Sequence, residues 1–245
     1  MTLLALDTST AWASVALYDG RSVLAEETWR AQRRHGDELF PSIERLLGQA
    51  RASLADVDRV AVATGPGSFT GLRVAIAAAQ GIARGAGAAL VGVSTLDVLA
   101  YPHAPSKRRT CPLLPAGRGE WYAAFYQERN RKWMRRSPYI VSTLPDLCRQ
   151  IGTHTLFVGE IDEEAERLLR DLLGPKALFA PPASQMRRAG YLAELGWRAL
   201  ESEPQAKLGE IEPIYVKQPA IRVSFDQPFA PAPHDDAALG LPRRS

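Results

Sequence analysis

Two stretches carry residue types and spacings that could do chemistry. The first is Thr64-Gly-Pro-Gly-Ser-Phe-Thr-Gly-Leu-Arg73, with three glycines in seven positions behind an apolar run, Val60-Ala-Val-Ala63. Glycines at 65, 67 and 71 let the backbone turn sharply and approach another surface closely. Thr70 suits the N-cap of the helix that follows. Residues 74–83 are almost all small, so that helix can come near a neighbouring backbone. Three readings fit: a phosphate cradle, a tightly buried turn and core helix, or a helix pressed against a second protein. The loop satisfies neither common nucleotide motif. Walker A needs Lys after its last glycine, whereas Gly71 is followed by Leu72 and Arg73. A dinucleotide fingerprint needs GxGxxG; here the spacing is GxGxxxG with Pro66 in the first gap, and Asp97 is the nearest acidic residue beyond the next strand.

The second stretch is Asp7-Thr-Ser-Thr10, a polar turn between two apolar strands. Such a hairpin can bind phosphate. The Asp7 carboxylate would hold Mg²⁺ through water, while turn amides and Thr8 or Thr10 face phosphate oxygens. The alternative is a turn-capping aspartate. Elsewhere the chemistry is thin. His35 precedes an amphipathic helix with no second histidine at metal spacing, and Cys111 and Cys148 form no CxxC pattern. No Ser/His/Asp or Cys/His set can be assembled. Arg131-Lys-Trp-Met-Arg-Arg136 is a basic run with an aromatic inside, readable as an RNA contact or as a solvated hairpin edge.

The elements that must position these residues follow from periodicity. Alternating and apolar runs predict strands over 3–6, 13–18, 23–28, 60–63 and 89–93, with Asp19-Gly20 as a hairpin signal. Leu39, Phe40, Ile43, Leu46, Leu47 and Ala50 share one face of a helix starting near Asp37. The second half offers strands over 112–114, 121–126, 139–141, 155–158 and 177–180, and helices over 144–151, 162–173 and 187–201. Two βββαβα units in tandem give an α/β fold of the duplicated actin/hexokinase-like class. The expected domains are 1–102, 103–222 and a proline-rich, disordered tail over 223–245. A fold of this class needs a phosphate hairpin in each half, yet the second half places Pro115 where the second carboxylate should stand. The 245 residues are 46% hydrophobic and 23% charged with net charge +3, an ordinary globular balance that permits RNA contact without demanding it. The N-terminus lacks a signal-peptide pattern and Arg73, Gln80 and Arg84 interrupt the alanine-rich segment, so a cytoplasmic chain is expected.

On these residues the chain resembles the TsaB (YeaZ) family of bacterial tRNA threonylcarbamoyladenosine biosynthesis proteins. The likeness spans Leu3 to about Arg222. It rests on Leu4-Ala-Leu-Asp-Thr-Ser-Thr10, Gly65-Pro-Gly-Ser-Phe-Thr-Gly-Leu-Arg73 and Gly92-Val-Ser-Thr-Leu96, with support from Gly119-Glu-Trp-Tyr122 and Glu212-Pro-Ile-Tyr-Val-Lys217. The resemblance implies a non-catalytic partner and activator of TsaD in the complex that places threonylcarbamoyl on N6 of adenosine 37 in ANN-decoding tRNAs. The ATPase TsaE joins that complex, tRNA is met through it, and the lone protein can form a homodimer through the same surface. No cofactor is required, with room for ATP or ADP at the complex interface; Asp7, Thr8 and Thr10 would be a vestigial nucleotide hairpin. The partner surface is expected on Leu39, Phe40 and Ile43 of the first long helix and on Leu72, Arg73 and Ile76 of the second. Family members commonly carry Asp at the position of Pro115 and His-Thr/Ser at that of His35-Gly36, so the chain departs from the pattern twice. The rival reading is an ATP-dependent phosphotransferase or hydrolase of the same fold; a protease or a dinucleotide enzyme has less behind it.

Overall fold

The structure, a computed structural model, describes residues 1–31, 35–130, 132–202, 211–214 and 216. The expected tail over 223–245 lies outside them. The chain forms two compact units, one of Met1–Val98 with Arg187–Tyr215, the other containing Leu99–Met186.

In the first unit the strands are β1 (Thr2–Asp7), β2 (Trp12–Tyr18), β3 (Val23–Arg30), β4 (Val57–Gly65) and β5 (Ala89–Ser94), in the order β3-β2-β1-β4-β5. The first three are antiparallel; β4 and β5 add in parallel. Crossover helices α1 (His35–Ala50) and α2 (Phe69–Ala86) connect them. Strand alternation sorts the core. Leu4, Leu6, Val15, Leu17, Val60 and Val62 pack with Leu39, Leu46, Ala75, Ala79 and Ile82 of these helices. Ala16, Ala5 and Ala61 are in register across β2, β1 and β4 on the opposite face. All three are fully buried, so that face also needs a cover.

The second unit repeats the plan. Its sheet runs β10-β7-β6-β11-β12, from β6 (Thr110–Gly117), β7 (Glu120–Ala123), β10 (Ile140–Thr143), β11 (Thr155–Gly159) and β12 (Ala177–Phe179). With the additional hairpin strands over 126–129 and 132–135 set aside, both sheets have strand order 3-2-1-4-5 with the same parallel and antiparallel pairings. The duplication predicted from element order is therefore present in the topology. Helices α4 (Leu144–Cys148) and α5 (Glu163–Leu173) serve this unit, and Asp162 caps α5 by accepting from Ala165 N at 2.8 Å. The short helix α3 (Thr95–Ala100) carries the boundary. One expected strand, 121–126, is two. Phe125 N donates to Ser137 Oγ (2.9 Å) and Phe125 O accepts from Arg136 N (2.6 Å), so the chain leaves the β7 ladder at Ala124 and starts a separate hairpin, β8 (Tyr126–Arg129) and β9 (Lys132–Arg135). No helix among the described residues is long and apolar enough to cross a membrane.

The largest correction concerns the last helix, α6 (Ala189–Ser202). Element order assigned it to the second half; it packs instead on β1, β2, β4 and β5 of the first sheet, and the 102/103 boundary gives way to 98/99 with a return at Arg187. The alanine row explains the choice. A face of small side chains accepts a helix at short range, and a Cβ added to Gly196 would lie 2.5 Å from the Ala61 Cβ. Trp197 closes the edge, with its ring edge-on to Tyr18 (5.8 Å) and under the Arg59 guanidinium (4.0 Å). Gly196→Val should overpack this contact and destabilise the protein by about 1–3 kcal/mol. Urea unfolding would read this as a lower midpoint, with Gly36→Ala, which meets open space, as the control.

Candidate functional site

Both sequence motifs meet at the end of β1, and they fill one another. Asp7 is 1% exposed. Its Oδ1 accepts from Ser9 N (2.8 Å) and Ser9 Oγ (2.6 Å), and its Oδ2 accepts from Arg187 Nε (2.9 Å). Arg187 Nη2 donates to Thr10 Oγ1 (2.7 Å) and to Trp12 O (3.0 Å). Thr8 Oγ1 donates to Gly71 O at 2.6 Å, and Ser68 N donates to Ser9 O at 2.6 Å. The glycine loop therefore lies with its backbone directly on the backbone of the turn. An added Cβ would sit 2.1 Å from Ser9 O at Gly67 and 1.9 Å from Thr8 O at Gly71. Both distances are impossible for any side chain. This approach requires glycine at 67 and 71, and Gly65 holds a φ of 103°.

Helix α2 starts one turn away. Its N-cap is Ser68, which accepts from Gly71 N at 3.3 Å; Thr70, the expected cap, is exposed in the first turn. Ser68 stands where its backbone is still extended, so its hydroxyl can reach back over the first turn. Residues 211–214, which reach into the corroborating segment that begins at Glu212, close the other side of the loop. Ile214 N donates to Thr64 O (2.7 Å), Gln80 Nε2 to Ile211 O (3.4 Å), and Gly92 has no room for a Cβ beside Thr64 and Ile211. Three motifs far apart in sequence thus converge.

Arg187 is marked in the sequence only as the start of a helix. It is the centre of the site. The guanidinium and the Asp7 carboxylate are each 2% exposed, and the following residues dock in sequence: Ala189 N donates to Ser14 Oγ (3.0 Å) and Gly190 N to Glu26 Oε1 (2.8 Å). No sequence signal marks Arg187, because its partner is 180 residues away. Arg is suited to the place: its planar fork reaches a carboxylate, a hydroxyl and a carbonyl together.

Tested against a metal-bound nucleotide, the hairpin does not fit. The carboxylate is already paired with Arg187, the Thr8 and Thr10 hydroxyls are engaged within the protein, the Ser9 amide is held by Asp7, and the glycine loop lies against the Thr8 and Ser9 carbonyls. In the second unit Pro115 stands opposite Trp121, and no Asp or Glu occurs from Thr110 to Gly119. Among the described residues no group of three His, Cys, Asp or Glu could hold a metal ion. Neither cysteine is poised as a nucleophile. Burial pushes the Cys148 thiol up to about 11 and the buried Cys111 thiol higher still, so almost no thiolate exists at neutral pH.

The expected partner surface divides sharply. Phe40 is 56% exposed and Arg73 is exposed, its guanidinium 3.7 Å from the ring centre of the equally exposed Phe69. Leu39, Ile43, Leu72 and Ile76 are at most 5% exposed and belong to the unit's own core. These four are corrected: helical periodicity finds the inward face, and a residue buried there cannot also meet a partner. The side chain of His35 lies outside what is described.

Removing one member of the buried pair should be costly. Arg187→Met leaves an uncompensated carboxylate and should destabilise by about 3–5 kcal/mol, while Asp7→Leu/Arg187→Met should recover much of the loss. Chemical denaturation of the single and double variants would measure the coupling.

Known proteins bear on this arrangement. The TsaD family, tRNA N6-adenosine threonylcarbamoyltransferase, matches residues 27–137. The tRNA threonylcarbamoyladenosine biosynthesis protein TsaB of Escherichia coli (strain K12) is 38% identical over 206 residues, covering 78% of this chain and 89% of that protein. Its counterpart in Bacillus subtilis (strain 168) is 28% identical over 199 residues, covering 80% and 87%. A solved structure of YeaZ from Pseudomonas aeruginosa aligns with a TM-score of 0.70 at 25% identity, over 88% of this chain and 99% of that one. With its strand order repeated in both units the fold is of the duplicated actin/hexokinase-like class, and the chain belongs to the TsaB (YeaZ) family of tRNA threonylcarbamoyladenosine biosynthesis proteins.

Proposed function

We propose that this chain is the non-catalytic partner and activator of TsaD in the cytoplasmic complex that transfers threonylcarbamoyl to N6 of adenosine 37 in ANN-decoding tRNAs. The carrying observation is the closed hairpin. Arg187 occupies the Asp7 carboxylate and the glycine loop covers the turn, which leaves no place for the metal and phosphates of a phosphotransferase. A chain of this fold without that chemistry keeps value as a shaped surface. TsaD carries the transfer, TsaE joins as the ATPase, and any ATP or ADP binds where partners meet rather than in this hairpin.

The surface we assign to TsaD is the solvent side of α1 and α2, where Phe40, Phe69 and Arg73 stand out from the helices. Exposed aromatics and arginine are the residue types that carry binding energy at interfaces. The same surface can pair two copies of this chain when TsaD is absent.

Modification of an ANN-decoding tRNA by TsaD and TsaE with threonylcarbamoyl-AMP should require this chain, and the chain with tRNA alone should modify nothing. Activity by the chain itself, or full activity without it, would sink the reading. Phe40→Asp should weaken pairing with TsaD about 10-fold or more at unchanged thermal stability, because the side chain is exposed. Ile76→Asp should instead lower stability itself, by about 3–5 kcal/mol, as a charge placed in the core. Calorimetric titration paired with thermal unfolding separates the two.

A further inference from the structure

The β8–β9 hairpin of the second unit holds the chain's positive charge. Residues 106–109 and 126–136 contain eight of the 30 Lys and Arg and one of the 27 Asp and Glu, a net +7, which leaves −4 for the other 230 residues. The two segments adjoin: Thr110 pairs with Tyr126 in the sheet, and Lys107 Nζ is 4.0 Å from Glu128 Oε1. Asn130 turns the hairpin with φ of 51°; Arg131 lies outside the described residues.

The register sorts its side chains. Tyr126 and Trp133 are fully buried and stacked at 6.4 Å on the inner face. The aromatic in the basic run is thus core and no platform for a base. Arg135 also serves the fold, with its guanidinium 3.8 Å from the Tyr139 ring centre, and Arg109 lies 4.2 Å from that of Phe125. The outer face is left to Gln127, Arg129, Lys132 and Met134, with Arg136 Nη1 reaching the Met134 Sδ. Arg129 and Lys132 are exposed and directly opposite one another in the ladder, and among the described residues neither they nor exposed Arg108 have an ion-pair partner.

An edge strand needs a charge or two to prevent pairing with another chain. Five cations in the eight residues 129–136 exceed that need. Two like charges set opposite each other weaken the hairpin that carries them, and nothing described in the fold relieves the repulsion. A polyanion would. Phosphates relieve it without demanding shape, the one large apolar side chain of the outer face, Met134, is half-buried with Arg136 Nη1 on its sulfur, and a ribbon of cations tracks a sugar–phosphate backbone. We propose that the outer face of the β8–β9 hairpin, through Arg129, Lys132 and Arg136 with Arg108 and Lys107 beside them, binds the phosphate backbone of tRNA. The choice of tRNA rests on the function proposed above; the polyanion site rests on the hairpin alone. The contact is to backbone, so it positions the RNA and carries no sequence preference.

The test compares two double variants of the full chain with equal loss of charge. Arg129→Gln/Lys132→Gln removes the opposed pair; Arg167→Gln/Lys176→Gln removes two exposed cations elsewhere in the same unit. Binding of an ANN-decoding and a non-ANN tRNA is followed by fluorescence anisotropy across a salt series. The hairpin variant should bind both tRNAs about 10-fold more weakly and lose about 1–2 from the slope of log affinity against log salt, while the control keeps both. Its thermal midpoint should be equal or higher, since repulsion is relieved. The proposal is overturned if the unaltered chain binds no tRNA, if both variants weaken alike, or if neither does. Retained tRNA binding with lost TsaD pairing would make the hairpin a protein contact and also overturn it. Modification assays on the same samples keep the two readings apart: a chain dispensable for modification can still bind tRNA at the hairpin, and an essential one can lack the site.

Discussion

The structure of the first unit depends on one desolvated ion pair. Asp7 and Arg187 lie 180 residues apart in the chain, and each has lost its water. Two such charges are tolerated only when attraction and hydrogen bonds replace hydration, and here Ser9 donates to one carboxylate oxygen while Thr10 Oγ1 and Trp12 O accept from the guanidinium. The pair has a structural consequence beyond its own energy. It fixes the point at which the chain returns from the second unit, and Ala189 and Gly190 then meet Ser14 and Glu26 in order. Helix α6 is thereby laid along the alanine row of β2, β1 and β4.

The same turn accounts for the glycine loop. A loop rich in glycine ahead of a helix invites a phosphate reading, because backbone amides at a helix N-terminus attract anions. Here the glycines serve backbone-to-backbone packing, with Gly67 and Gly71 against Ser9 and Thr8. Two half-sites that in isolation each suggest a ligand have become each other's ligand. The Asp7 turn and the glycine loop are filled by one another's atoms.

Duplication of topology has not meant duplication of chemistry. Both sheets share one strand order, yet the first unit closes its hairpin with an ion pair and the second carries Pro115 and a turn of Gly117, Arg118 and Gly119, all at positive φ. The second unit has also gained the β8–β9 hairpin between its second and third strands, and with it the positive charge that the rest of the chain lacks. Strand order is set by the backbone and by alternating burial; what the loops do is decided separately in each half.

The sequence by itself determined the elements, the repeated βββαβα order and the two motifs that matter, since periodicity and turn residues act over a few positions and need no partner. Asp7, the glycine loop and the family likeness were all legible on that basis. Only the tertiary structure decided which unit α6 serves, that Arg187 satisfies Asp7, and that Leu39, Ile43, Leu72 and Ile76 face the core while Phe40 and Arg73 face solvent. The Asp7–Arg187 contact spans 180 residues and leaves no periodic trace. The helix faces were misassigned for a related reason. An apolar stripe shows that something is covered; what covers it depends on a sheet assembled from strands distant in the chain.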